Sequence, residues 1–189
     1  EEIQVLKKIL MFAPEDIELR SALSTAYFNS ENYDEALNHA LCVIELDEKD
    51  PQAYCNLGSC YSAQNMVDEA VESFQKATEI DPDYSLPHTN LGSLYATIGR
   101  IEKAIKEFKL ATTMNQSDSL AWMNLYSCYK EVGRMEDAQE AFRKYESLMN
   151  QGSQAEEHSH IPGGVAQTGQ LASGADLDTA SPGMEELTS

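Results

Sequence analysis

Three asparagines recur at one register of the sequence, 34 residues apart, at Asn56, Asn90 and Asn124. Asparagine is a mediocre helix former, so its return at a fixed interval suggests a purpose beyond helix propensity. Its carboxamide offers both a hydrogen-bond donor and an acceptor, which are the two groups that an extended peptide backbone requires. Two interpretations stay open: the row binds a peptide, or each amide bonds locally to a neighbouring helix.

Three serines follow the asparagines at the same interval, at Ser59, Ser93 and Ser127. Together the six side chains form the candidate peptide-binding site. Catalytic chemistry has little support, because the sequence contains no phosphate-binding glycine loop, no paired-histidine metal motif and no serine nucleophile elbow. We therefore expect a protein that is not an enzyme and that has no cofactor and no metal site.

The asparagines and serines lie inside a longer pattern that repeats three times. Apolar residues fall at helical offsets within each copy, and a second set of alanines at the same interval marks the segment that follows. A period of 34 residues with two helices per unit is typical of stacked helical hairpins. The three copies read YCNLGSCY at 54–61, HTNLGSLY at 88–95 and WMNLYSCY at 122–129.

These residues resemble the tetratricopeptide repeat (TPR) family, because small residues, aromatic residues, turn glycines and terminal prolines recur together in register. The resemblance covers roughly residues 1–151. It implies an all-α fold in which antiparallel helix pairs stack into a right-handed superhelix, with a concave groove lined by the first helix of each pair. The expected units are a half repeat at 1–16 and full repeats at 17–50, 51–84, 85–118 and 119–151.

The family geometry assigns six places of each repeat to the groove. In the last three repeats these places hold small and polar residues, a few apolar residues and almost no charge. They are Gln52, Cys55, Asn56, Ser59, Ser62 and Ala63, then Leu86, Thr89, Asn90, Ser93, Ala96 and Thr97, then Leu120, Met123, Asn124, Ser127, Lys130 and Glu131.

Simple geometry connects the asparagine row to an extended peptide. Packed helices lie roughly 8–10 Å apart, and an extended chain advances about 3.3 Å per residue, so one asparagine would meet about every third residue of a bound peptide. The sequence therefore predicts a noncatalytic protein–protein interaction module, or scaffold, that binds an extended peptide segment in its groove. Two alternatives are the targeting arm of a larger enzyme and a scaffold that assembles end to end.

One known use of the family is not expected. Members that capture the acidic C-terminal peptides of heat-shock chaperones use a two-carboxylate clamp of lysine, arginine and asparagine. The matching places here retain the central asparagine but none of the cations. Without those cations, binding of a chaperone carboxylate is not expected.

One departure from the repeat pattern predicts a local change in packing. Tyr126 stands where Gly58 and Gly92 stand in the two preceding repeats. A tyrosine cannot allow the close helix approach that a glycine permits, so we expect the last helix pair to pack differently.

Charge and composition limit the partners and the compartment. The net charge is −19, of which −13 lies in residues 1–151. This excess argues against binding to nucleic acid or to an anionic membrane. Residues 152–189 contain no lysine or arginine and little aliphatic bulk, so we expect an acidic, disordered C-terminal tail. Four cysteines without metal-ligand spacing indicate a reducing, cytoplasmic location.

Overall fold

The structure, a computed structural model, describes residues 1–159 and the side chains of residues 1–151. This part of the chain is all α-helical, which confirms the predicted fold class. The helices are α1 (Glu2–Leu10), α2 (Ile17–Asn29), α3 (Tyr33–Leu46), α4 (Pro51–Ala63), α5 (Val67–Ile80), α6 (Leu86–Thr97), α7 (Ile101–Met114), α8 (Ser119–Glu131) and α9 (Met135–Ser159).

The helices pack as consecutive pairs. Helix α2 packs against α3, α4 against α5, α6 against α7 and α8 against α9, while α1 packs on α2 as a single helix ahead of the first pair. The first helices of the pairs, α2, α4, α6 and α8, also contact one another in succession. We call the surface that these four helices form the first-helix face.

Each of the two central pairs is held by a phenylalanine ring that lies against a glycine. Phe74 and Phe108 are both only 1% exposed. A Cβ atom added at Gly58 would lie 2.7 Å from the Phe74 ring, and one at Gly92 would lie 2.6 Å from the Phe108 ring. The glycines are therefore required by the close approach of the rings, and their cost in helix propensity is offset by the packing that they allow.

The first and last pairs use other side chains at the same register. In the first pair Ser24 takes the place of the glycine, and its hydroxyl donates to the Ala36 carbonyl at 2.8 Å. In the last pair the Tyr126 ring packs on Phe142, with ring centroids 5.0 Å apart and both rings only partly buried. The last pair thus packs differently, as predicted from Tyr126.

Three of the first helices begin with an aspartate that caps the helix. Asp16, Asp50 and Asp118 each accept hydrogen bonds from backbone N–H groups in the first turn, which satisfies donors that a helix leaves unpaired. The fourth such helix, α6, has Ser85 as its N-cap residue, and the Ser85 side chain makes no capping hydrogen bond. Tyr84 stands at the place of the aspartates.

The turn inside each pair contains one residue with positive φ. These residues are also 34 apart: Glu31 (φ 59°), Asn65 (62°), Gly99 (73°) and Gly133 (76°). Glycine adopts this conformation without strain, asparagine tolerates it, and other L-residues pay about 1–2 kcal/mol. Glu31 is therefore the strained member of the set.

This strain gives a testable prediction. Replacing Glu31 with glycine is expected to raise the free energy of unfolding by about 0.5–1 kcal/mol, because the relief of strain exceeds the added flexibility of the unfolded chain. Urea titration followed by far-ultraviolet circular dichroism measures the change. Glu72→Gly, in the middle of α5, is the control and should lower stability by about 1 kcal/mol. Equal losses in both variants would contradict the prediction.

The C-terminal end of the described region differs from the expected boundary. Helix α9 continues to Ser159, eight residues past the predicted repeat boundary at Gln151. The rest of the predicted disordered tail, residues 160–189, lies outside the described residues. None of the helices in the described part of the chain is long and apolar enough to span a bilayer.

Candidate functional site

The asparagines of the first-helix face connect neighbouring repeats. The Nδ2 atom of Asn90 on α6 donates to the Ser59 hydroxyl on α4 at 3.3 Å and approaches the Cys55 sulfur at 3.5 Å. The Nδ2 atom of Asn124 on α8 donates in the same way to the Ser93 hydroxyl on α6 at 3.5 Å. Bonding to a neighbouring helix, one of the two interpretations of the sequence, is thus present at two of the three asparagines.

The serines complete this network. Each hydroxyl donates to the backbone carbonyl four residues earlier in its own helix: Ser59 to Cys55 at 2.9 Å, Ser93 to Thr89 at 3.0 Å and Ser127 to Met123 at 3.1 Å. Because the hydroxyl proton is engaged in this bond, the oxygens of the first two serines are free to accept from Asn90 and Asn124. The serines therefore hold the asparagine side chains in one orientation.

Asn56 has a different environment. Its Nδ2 atom is buried and has no hydrogen-bond partner among the residues whose side chains are described. The residue at the register of Ser59 in the preceding repeat is Thr25, whose hydroxyl donates to the Ser21 carbonyl at 3.1 Å. A buried amide without a partner costs about 1–3 kcal/mol, so this side chain lacks the support that the other two asparagines have.

The side-chain oxygens of Asn90 and Asn124 do not accept a hydrogen bond from the part of the protein whose side chains are described. Within residues 1–151, no protein group donates to the Oδ1 atom of Asn90 or Asn124, and neither oxygen is among the buried atoms that lack a partner. Each carboxamide thus directs its donor to the preceding repeat and leaves its acceptor accessible on the first-helix face. Such a row of acceptors can receive backbone N–H groups.

Two residues that were predicted to line the groove are buried instead, so this part of the prediction was wrong. Cys55 and Thr89 are each 1% exposed. The Thr89 hydroxyl donates to Asp118 Oδ2 at 2.8 Å, and Asp118 is the residue that caps α8. In these two repeats the place therefore faces the neighbouring helix rather than the groove, and Thr89 fixes the start of the next first helix.

Burial also decides the chemistry of the cysteines. Burial raises the pKa of the Cys55 thiol to about 12 and that of the Cys60 thiol to about 11. A thiol with so high a pKa is protonated at neutral pH and is a poor nucleophile and metal ligand. Within the described residues, no three histidine, cysteine, aspartate or glutamate side chains are grouped as metal ligands.

Two exposed leucines add apolar surface to the first-helix face. Leu86 is 44% exposed and Leu120 is 60% exposed, and they occupy the same place in successive repeats. Met123, one turn further along α8, is partly buried. Adjacent polar acceptors and apolar side chains give this end of the face the two kinds of contact that hold an extended peptide.

Other conspicuous side chains have structural partners. The Trp122 indole N–H donates to the Gln116 carbonyl at 3.0 Å, and His88 Nδ1 lies 2.8 Å from Glu107 Oε2 on the paired helix. Both residues occupy the same register as Tyr54, and the Tyr54 and Trp122 rings each line a shallow groove beside the second helices. The three side chains contribute to packing within and between the pairs.

Helix pairs that stack and present one continuous row of first helices define an α-solenoid, a class in which each repeat contacts only its neighbours and the elongated surface binds other molecules. Part of the chain has the sequence of tetratricopeptide repeats. A family profile described as "Tetratricopeptide repeat" matches residues 51–84, and a second with the same description matches residues 73–106. The resemblance to tetratricopeptide repeats that was predicted from the sequence is thereby confirmed.

Solved structures of low sequence identity share the fold. A crystal structure of MamA superposes with a TM-score of 0.67 at 22% identity, covering 80% of this chain and 89% of that one. TTC0263, described as a thermophilic TPR protein of Thermus thermophilus, gives a TM-score of 0.70 at 19% identity, with 82% and 84% coverage. The pilF protein of Pseudomonas aeruginosa gives 0.67 at 16% identity, with 76% and 65% coverage.

These comparisons establish the architecture of the described region as a right-handed superhelical solenoid. No match was found among curated protein sequences. A fold of this kind is a scaffold for protein–protein interaction, and its members are typically noncatalytic.

Proposed function

We propose that this protein is a noncatalytic interaction module that holds an extended segment of a partner protein along the first-helix face. The orientation of Asn90 and Asn124 carries the proposal. Their donors are engaged with serines of the preceding repeat, while their acceptors have no donor within residues 1–151. Since the serines hold the amides in place, the acceptors are preorganised for backbone N–H groups, and little side-chain entropy is lost on binding.

The proposed ligand is recognised mainly through its backbone. Neighbouring first helices lie roughly 8–10 Å apart, so acceptors on successive helices match every third residue of an extended chain. Leu86 and Leu120 add apolar contacts beside the acceptors. Such a site tolerates many sequences, because hydrogen bonds to the backbone do not depend on the identity of the side chains.

The test uses a phage-displayed library of random 12-residue peptides, selected on the full chain. The selected peptides are then titrated by fluorescence anisotropy. Asn90→Ala is expected to weaken binding about five- to tenfold, the equivalent of one hydrogen bond of roughly 1 kcal/mol. Thr113→Ala, an exposed hydroxyl on α7, should leave affinity within twofold. Circular dichroism verifies that both variants keep their helicity.

Two results would overturn the proposal. One is an affinity for the selected peptides that Asn90→Ala does not change. The other is a selection that yields only peptides bound to the opposite surface, which photo-crosslinking would locate. The targeting-arm and end-to-end assembly hypotheses stay predictions. A cytoplasmic location also stays a prediction, and the buried thiols of Cys55 and Cys60 are compatible with it.

A further inference from the structure

The charge of the protein is unevenly distributed along the solenoid. Residues 1–84 contain 18 acidic and 5 basic residues, a net charge of −13, whereas residues 85–151 contain 8 of each and are neutral. The whole excess of negative charge in the repeats therefore belongs to α1 to α5 and the segments that connect them. The two halves therefore present a partner with very different electrostatic fields.

The negative half includes a trough on the first-helix face itself. The trough has a volume of about 560 Å³, lies between α2 and α4, and is lined by no lysine or arginine. Glu2, Glu18 and Asp50 contribute its carboxylates, and polar side chains such as Ser21 line the rest. Arg20, the arginine of α2, donates to the backbone carbonyl of the α1–α2 connection at residue 14, so its guanidinium has a local partner.

A second observation in the same half points to a ligand. Asn56 lies one helical turn beyond Gln52 on α4, and its buried Nδ2 atom has no partner among the residues whose side chains are described. Buried polar groups in native proteins are nearly always hydrogen-bonded. The Asn56 side chain as a whole is only partly buried, so a rotation of its carboxamide would bring Nδ2 within reach of a carbonyl group of a bound segment.

The neutral half has the opposite character. Leu86 and Leu120, on α6 and α8, are the large exposed apolar side chains at the place that Glu18 and Gln52 occupy in the first two repeats. Along this one row the side chains therefore change from acidic through polar to apolar. The first-helix face is thus negatively charged at one end and apolar at the other.

We propose that the partner is an extended protein segment with basic side chains at one end and apolar side chains at the other. The basic end lies over the trough between α2 and α4, and the apolar end lies over Leu86 and Leu120. This inference rests on the proposed function and specifies the chemistry of its ligand. Two repeat steps separate the ends, roughly 16–20 Å, which an extended chain spans with about five or six residues.

Charge complementarity also indicates whether the trough binds the chain's own C-terminal segment or a separate partner. The chain's own residues 160–189 contain four acidic residues and no lysine or arginine. Such a segment would be repelled by the trough, since like charges brought together without counterions cost energy. The occupant is therefore a separate partner with lysine or arginine side chains, and not the tail of this chain.

Three synthetic peptides test the proposal on the full chain. The first has two lysines, a six-residue serine and threonine spacer and two leucines; the second has glutamates in place of the lysines; the third has serines in place of the leucines. Fluorescence anisotropy at 20 mM and 200 mM salt gives the affinities. We expect the first peptide to bind at least tenfold more tightly than either other peptide at low salt, with the advantage over the glutamate peptide reduced at high salt.

Variants locate the two ends. Glu2→Gln with Glu18→Gln should weaken the lysine–leucine peptide about three- to tenfold and reduce its salt dependence. The matched control, Glu69→Gln with Glu72→Gln on α5, changes the same net charge on exposed residues outside the trough and should change affinity less than twofold. Leu120→Ser should weaken the same peptide about tenfold without altering its salt dependence.

The outcomes separate this inference from the proposed function. Equal binding of the lysine and glutamate peptides, with both still weakened by Asn90→Ala, would overturn the inference and leave the proposed function standing. A loss of affinity in the Glu69 and Glu72 control equal to that in the Glu2 and Glu18 variant would overturn it as well. Binding that Asn90→Ala does not affect would overturn both.

Discussion

Replacing Phe108 with alanine is expected to lower the free energy of unfolding by about 3–5 kcal/mol. The ring is 1% exposed and lies in the space that Gly92 leaves open between α6 and α7. Its removal leaves a cavity that rigid helix backbones on both sides cannot fill, so both the transfer energy and the packing contacts are lost. Urea unfolding followed by circular dichroism measures the loss.

Phe142 provides the matched control. It stands 34 residues later at the same place of the repeat, but it is only partly buried and packs against Tyr126. Phe142→Ala should therefore cost less, about 1–2 kcal/mol. Because each repeat of a solenoid contacts only its neighbours, Phe108→Ala should also increase amide hydrogen exchange most in α6 and α7. Equal losses of unfolding free energy for the two variants would contradict the conclusion that the close packing of Phe108 on Gly92 stabilises the pair.

Gly92→Ala is expected to lower the free energy of unfolding by up to about 2 kcal/mol. Alanine is the better helix former by about 1 kcal/mol, but its Cβ would lie 2.6–2.9 Å from three carbon atoms of the Phe108 ring. The forced displacement of the ring costs about 1–3 kcal/mol and outweighs the gain in propensity. Urea unfolding measures this variant in the same way.

A double variant separates the two contributions. In the Phe108→Ala background the ring is absent, so Gly92→Ala should keep only its propensity gain and raise stability by up to about 1 kcal/mol. The effect of the same substitution should thus change sign between the two backgrounds, which a double-mutant cycle measures directly. A destabilisation that persists without the ring would show that the close approach to Phe108 is not its cause.

The sequence predicted most of the fold because packing residues repeat with the fold. Small residues and aromatic residues must meet at the same place in every pair, so Gly58 and Gly92 recur with Phe74 and Phe108. The same logic predicts the change in packing at Tyr126, where the repeated glycine is missing. The strained turn at Glu31 was not predicted, although the 34-residue spacing to the turn glycines at 99 and 133 would have indicated it.

The candidate site was predicted less completely, for physical reasons. The sequence predicted that Asn90 and Asn124 lie on the first helices, but the serine partner of each lies in the preceding first helix, and the spacing alone does not show that contact. The family geometry assigned Cys55 and Thr89 to the groove, and the assignment failed because a repeat pattern does not show how neighbouring helices cover one another. Their burial became apparent only from the three-dimensional packing.

The acidic trough was missed for a further reason. Glu2 belongs to the half repeat, Glu18 and Asp50 belong to the first full repeat, and the three stand at three different places of the repeat pattern. No period in the sequence connects them, so the repeat pattern could not group them. The uneven charge of the two halves, which a count along the chain provides, was the available signal.

The division of the first-helix face into a charged half and an apolar half has a kinetic consequence. Long-range attraction acts before contact, so the carboxylates of the first half would determine how fast a basic partner arrives and which of its ends arrives first. Short-range contacts act only after docking, so Leu86 and Leu120 would determine how long the partner stays. Salt should then slow arrival and leave residence time almost unchanged, so the rates of capture and release could evolve separately on one surface.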